Sequence, residues 1–125
     1  MVKVGLWLRC EAKPDKVAEV ERLIRDGLDM VDAEPDTKVW FGLRLGPSTF
    51  GIFDVFPDDH GRQAHLSGRL GSALMARSGE LFVKPPEIVP VDVMVSKLPV
   101  VCSSHPPRYE DAVPEAVSQD AVPAV

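Results

Sequence analysis

Two side chains in this chain have the types and setting for proton chemistry. His65 stands in a segment, Gln63-Ala64-His65-Leu66, with the spacing of a helix. Asp54 lies in an alternating stretch, in phase with Phe50, Ile52 and Phe56, which is the phase of an inward-facing strand surface. A carboxylate in such apolar company needs a partner, because burying an unpaired charge is costly. His65 is the candidate. A carboxylate against imidazole fixes its tautomer and raises its basicity, and such a pair can take a proton from a phenol or quinol. The same pair can equally serve as a hydrogen bond that ties a helix to a sheet. Around it, Leu8, Phe41, Phe50, Phe56 and Met75 are the expected walls of a substrate pocket, or plain core.

Other constellations carry less chemistry. Asp58, Asp59 and His60 crowd one short turn and rarely close a coordination sphere from there, so no metal site is expected. Cys10 and Cys102 lie far apart, without a CxxC pattern or a histidine at ligand spacing, and read as idle thiols. There is no G-x-S-x-G, Walker A, dinucleotide-binding glycine fingerprint or H-E-x-x-H motif, and no cofactor is expected.

The elements that position these residues follow from periodicity. From Val2 to Ala12, Val2, Val4, Leu6, Leu8 and Cys10 alternate with Lys3, Gly5, Trp7, Arg9 and Glu11, the pattern of a two-faced strand. Pro14-Asp15 opens a helix whose stripe is Val17, Val20, Ile24, Leu28 and Val31, and Glu34-Pro35-Asp36 ends it. Strands are expected from Thr37 to Leu45 and from Thr49 to Phe56, joined by the turn residues Gly46-Pro47-Ser48. A second helix is expected from Asp58 to Arg77, weakened by Gly61, Gly68 and Gly71, which signal either close packing or room for a ligand. Ser78-Gly79 breaks it, and one further turn from Glu80 to Val83 precedes Pro85-Pro86. A last strand is expected from Ile88 to Lys97, with Pro90 at a bulge or near an edge.

The order strand, helix, strand, strand, helix, strand is the split βαβ arrangement of ferredoxin-like α+β domains. Two helices cover one face of a four-stranded antiparallel sheet. The other face is expected to carry Trp7, Arg9, Trp40 and Arg44, as the packing layer of a homodimer or as a flat-walled ligand site. The domain spans 1–98. Residues 99–125, rich in Pro, Ala, Val and acidic side chains, read as an extended or disordered arm, free or wrapped on a partner subunit through Tyr109.

Composition narrows the partners. With 14 Lys and Arg against 19 Asp and Glu, the net charge is −5 and the basic residues are dispersed, which argues against a nucleic-acid partner. No apolar run is long enough to span a bilayer and Met1-Val2-Lys3 does not begin a signal peptide, so the expected compartment is the cytoplasm, away from the membrane.

Several segments resemble the antibiotic biosynthesis monooxygenase superfamily. Ala12-Lys13-Pro14 is similar to the "AKPG" that opens its first helix, and Phe53-Asp54-Val55-Phe56-Pro57-Asp58 to its "YERWED" strand end. Gln63-Ala64-His65-Leu66 matches its "AHL", and Pro85-Pro86-Glu87-Ile88 the lead into its last strand. The resemblance covers residues 2 to about 98. It implies a dimeric α+β barrel and, among the activities of that family, a cofactor-independent monooxygenase using molecular oxygen on a small aromatic or quinol substrate, with His65 as base and Asp54 as orienter. The haem-degrading branch implies an Asn, Trp and His set, whose positions fall here at Trp7 or Leu8, near His65 and near Met75. None of the three matches. The rival expectations are a non-enzymatic, stress-associated small-molecule-binding module using the same pocket, and an assembly protein whose arm docks a partner.

Overall fold

The computed structural model describes residues 1–99. Its elements run β1 (Val4–Glu11), α1 (Val17–Asp32), β2 (Val39–Arg44), β3 (Thr49–Phe56), α2 (Asp59–Leu66), α3 (Arg69–Ala76), α4 (Ser78–Leu81) and β4 (Glu87–Asp92). The expected arm, with Cys102 and Tyr109, lies outside the described residues.

The four strands form one antiparallel sheet in the order β2-β3-β1-β4. β1 and β2 therefore run parallel with β3 between them, the split βαβ unit of a ferredoxin-like α+β fold. Pro90 sits on an edge strand, as a residue without an N–H must.

The helices pack on one face. The inward set of β1 (Leu6, Leu8, Cys10) meets that of β3 (Phe50, Ile52, Asp54, Phe56) under α1, α2 and α3. From α1, Val20, Leu23, Ile24 and Val31 enter the core; from α3, Leu70 and Leu74 do. α4 carries Leu81 and its neighbour Phe82 to the far end, where Phe82 bridges to Ala12. Burial first, and then the charge of Glu11, push the Cys10 thiol up to about 11, so it packs as a small apolar side chain. Among the described residues no helix is long and apolar enough to cross a membrane.

Three element boundaries are corrected. α1 starts at Val17, because residues 13–16 form a turn closed by Lys16 N–H donating to Lys13 O at 2.8 Å. The long second helix is two helices that meet at Ser67-Gly68. The last strand ends at Asp92, just before Val93 N–H donates to Lys3 O, beyond the start of β1.

The phase of β2 is the largest correction. Trp40 pairs with Asp54 and Arg44 with Phe50, so both belong to the helix-covered side. Trp40 packs on the core, and Arg44 bonds to Glu21 of α1 and lies over the Phe50 ring at 4.8 Å. The open face instead carries Phe41, opposite Phe53, opposite Trp7, opposite Val89. This row crosses all four strands. Phe41 is 51% exposed and Val89 45%, while the Trp7 indole lies over Gly51, where a Cβ would stand 2.6 Å from the ring.

Candidate functional site

Asp54 is the third-from-last residue of β3, and the register makes it unusual. Between Leu6 of β1 and Trp40 of β2, and beneath α2, it is 1% exposed. α2 begins where the Asp58 carboxylate accepts from Gly61 N–H at 3.0 Å, a side-chain cap that fixes the helix start. One and a half turns on, His65 points down onto β3. Arg62 ties the same helix to the sheet by donating to the carbonyls of Gly5 and Val91, each at 3.3 Å.

The structure brings His65 and Asp54 together, with Nε2 3.0 Å from Oδ2. It also brings a third group that the sequence reading missed. Glu34 Oε1 lies 2.6 Å from His65 Nδ1 and accepts from Thr37 Oγ1 at 2.7 Å. The imidazole is thus held between two carboxylates, and the Phe56 ring stands 5.3 Å away at a tilt of 44°. Burial pulls the His65 pKa down, but Asp54 and then Glu34 outweigh it by hydrogen bonding and charge, and the net displacement is upward. The two carboxylates thus favour the charged form of the ring more than water would.

Both ring nitrogens of His65 face carboxylate oxygens. Asp54 has one oxygen to spare: Oδ1 is buried and has no hydrogen-bond partner. Asp54 and His65 form the polar part of a cavity of about 50 Å³ whose other walls include Leu6, Leu8, Ile52, Leu70, Leu74, Met75 and Ile88. Leu8 and Met75 therefore line it as expected. Phe41, Phe50 and Phe56 do not. Phe41 is on the open face, Phe50 faces a groove between α1 and β2, and Phe56 is fully buried behind the histidine. Trp7 and Arg9 stay on the open face and take no part; Trp40 flanks Asp54 from β2, its indole N–H buried without a partner. His60 is exposed. Among the described residues no group of three or more His, Cys, Asp and Glu is placed to hold a metal ion.

A ferredoxin-like sheet with one helix-covered face is an architecture shared with known structures. The chain is similar to a protein of unknown function from Nitrosomonas europaea, with 44% identity and a TM-score of 0.78, covering 81% of this chain and 98% of that one. It is similar in fold to a Caulobacter crescentus protein provisionally named an antibiotic biosynthesis monooxygenase (20% identity, TM-score 0.65, 75% and 92% covered). The same holds for a solved antibiotic biosynthesis monooxygenase (16% identity, TM-score 0.64, 74% and 99% covered). No protein-family model and no curated protein matches the sequence. The chain belongs to one family with the Nitrosomonas europaea protein, and its fold is that of the antibiotic biosynthesis monooxygenase superfamily.

Proposed function

We propose that this protein is a cofactor-independent monooxygenase that oxidises a small phenol or quinol with molecular oxygen, and that it works as a homodimer. The observation that carries the reading is the spare oxygen of Asp54. A buried carboxylate with one oxygen fixed by His65 and the other unpartnered, set in an apolar cavity, is an acceptor waiting for a neutral hydroxyl. An anionic group would face a like charge there.

In this reading Asp54 contacts the substrate and His65 orients Asp54. The substrate hydroxyl donates to Oδ1, and transfer of its proton leaves an electron-rich oxyanion that reduces oxygen. For a phenol with a hydrogen para to the hydroxyl, the balance is phenol plus O₂ giving para-quinone plus water. One oxygen atom bonds to the ring carbon. The other leaves as water with the hydroxyl proton and the displaced ring hydrogen. His65, as an imidazolium near the anion, stabilises the charge that develops. A cavity of about 50 Å³ is small beside the roughly 150 Å³ that holds benzene in an engineered core. Substrate must therefore part the rim, where Met75 and Ile88 are 48% and 37% exposed and Met75 has the freer side chain.

The dimer reading is supported by the row Phe41, Phe53, Trp7 and Val89, an apolar stripe on the face that no helix covers.

The test is oxygen uptake by the purified protein against a panel of phenols, quinols and hydroxynaphthalenes, with Asp54→Asn alongside. Uptake should fall by about 100-fold or more in the variant, the scale of a lost general base. Uptake unchanged in Asp54→Asn would remove Asp54 from the chemistry. Binding of these compounds without any uptake would make the cavity that of a binding module.

A further inference from the structure

We infer that Glu34 is a positioning residue for this site: it holds His65 so that Nε2–H is presented to Asp54 Oδ2, which leaves Oδ1 for the substrate hydroxyl. The catalytic meaning of this role rests on the reading above; the geometry does not.

Glu34 does not line the cavity. It sits beyond α1, at the start of the connection to β2, with its side chain 20% exposed. Three features fix its carboxylate. Oε1 accepts from Thr37 Oγ1 at 2.7 Å and from His65 Nδ1 at 2.6 Å. Oε2 occupies the space over Gly68, where a Cβ would stand 2.7 Å from it. Gly68 is the N-cap of α3, and the unsatisfied N–H groups of a helix start favour negative charge nearby. The break between α2 and α3 and the glycine within it are what admit this carboxylate to the back of His65.

The consequence lies in where the ring protons sit. With Glu34 ionised, both nitrogens are protonated and Nε2–H donates to Asp54. Without its charge the ring gives up a proton at lower pH, and the neutral ring keeps the remaining one on Nε2, facing the buried carboxylate. Asp54 is then held by a neutral donor, and loses the charge assistance that orients its spare oxygen toward substrate. The charged groups that face the ring are Asp54 from β3 and Glu34 from the α1–β2 connection. β1 and α3 present Leu6 and Leu70 to the same cavity, and on α2 itself Arg62 is engaged with Asp59 and two strand carbonyls.

The experiment is an NMR titration of the His65 ring in the wild-type chain, Glu34→Gln, Glu34→Asp and Gly68→Ala, read beside the pH profile of oxygen uptake. Glutamine keeps an acceptor for Nδ1–H but removes the charge, and the His65 midpoint should fall by about 1 pH unit. Gly68→Ala should move it the same way, because its methyl displaces the carboxylate while the chain's charge is unchanged. Glu34→Asp should fall between. The alkaline limb of the uptake profile should move with the midpoint. A midpoint within about 0.3 of wild type in Glu34→Gln would overturn the proposal and make Glu34 a fastener between loop and helix. If Glu34→Gln does not fold, Gly68→Ala decides by the same criterion. Absence of uptake with every substrate would sink the monooxygenase reading alone, since the ring titration needs no substrate.

Discussion

Replacing His65 with leucine should be among the most damaging single changes in the domain, and adding Asp54→Leu should repair most of the damage. Leucine roughly preserves the volume of the imidazole against Phe56, so the cost is electrostatic. With His65 gone, a carboxylate that is 1% exposed has no partner on either oxygen. Breaking a buried pair in this way costs about 3–5 kcal/mol, whereas replacing both members by apolar side chains is often close to neutral. Domains have only about 5–15 kcal/mol in all. A loss of that size lowers Tm by at least about 12 °C for a domain of this length. Glu34 adds little to the cost, because its side chain reaches water. The assay is urea unfolding at pH 7 and one fixed protein concentration, so that any association enters all variants alike. The four chains of the cycle (wild type, each single variant, the double variant) give the coupling between the sites directly. The reasoning is refuted if His65→Leu costs less than about 1 kcal/mol, or if the double variant is no more stable than His65→Leu alone.

Two further outcomes are expected. The His65 pKa is raised in the folded chain above its ordinary 6.5, so the stabilisation it brings is fully present below that value and is lost as pH rises through the folded pKa. Calorimetry from pH 6 to 9 should show Tm of the wild type falling toward that of His65→Gln; parallel curves would mean the ring and its carboxylates are not coupled. Phe41→Glu places a charge in the stripe across the open sheet face, at a residue 51% exposed and so cheap to change within one subunit. Sedimentation equilibrium should find dimers for the wild type and monomers for the variant, and a variant that remains dimeric would move the interface elsewhere.

Much of the fold was legible because its signals are local. Thr49 to Phe56 is bounded by turn residues on both sides, and the strand occupies those residues and no others. β2 was harder for a physical reason. Its two phases, Lys38-Trp40-Gly42-Arg44 and Val39-Phe41-Leu43-Leu45, both carry an aromatic, and the more apolar one faces outward. Hydrophobicity assigns a strand's faces only when one face meets water, and here the uncovered face is itself apolar. Gly42 settles the matter in three dimensions, by letting Ile24 of α1 approach the strand closely.

At the site, Asp54 and His65 announced themselves by type and phase. Glu34 did not, because beside Pro35 it reads as the end of a helix, and nothing local shows that a glycine 34 positions later opens a space for its carboxylate. The remaining signal was Gly68 itself. Of the two meanings open for the glycines of that segment, close packing is the one that holds there, with the packed atom being an oxygen of the site.

The tilted ring of Phe56 beside His65 has a practical value for any study of this chain. The sequence holds three histidines, His60, His65 and His105, whose ring protons would ordinarily crowd one narrow region of a proton spectrum. An aromatic ring 5.3 Å away imposes its ring current on His65, displacing its resonances from those of exposed His60. The protein thus carries its own label at the candidate site. Any compound that enters the cavity and touches Asp54 will be reported by a resolved signal, before anything is known of the reaction.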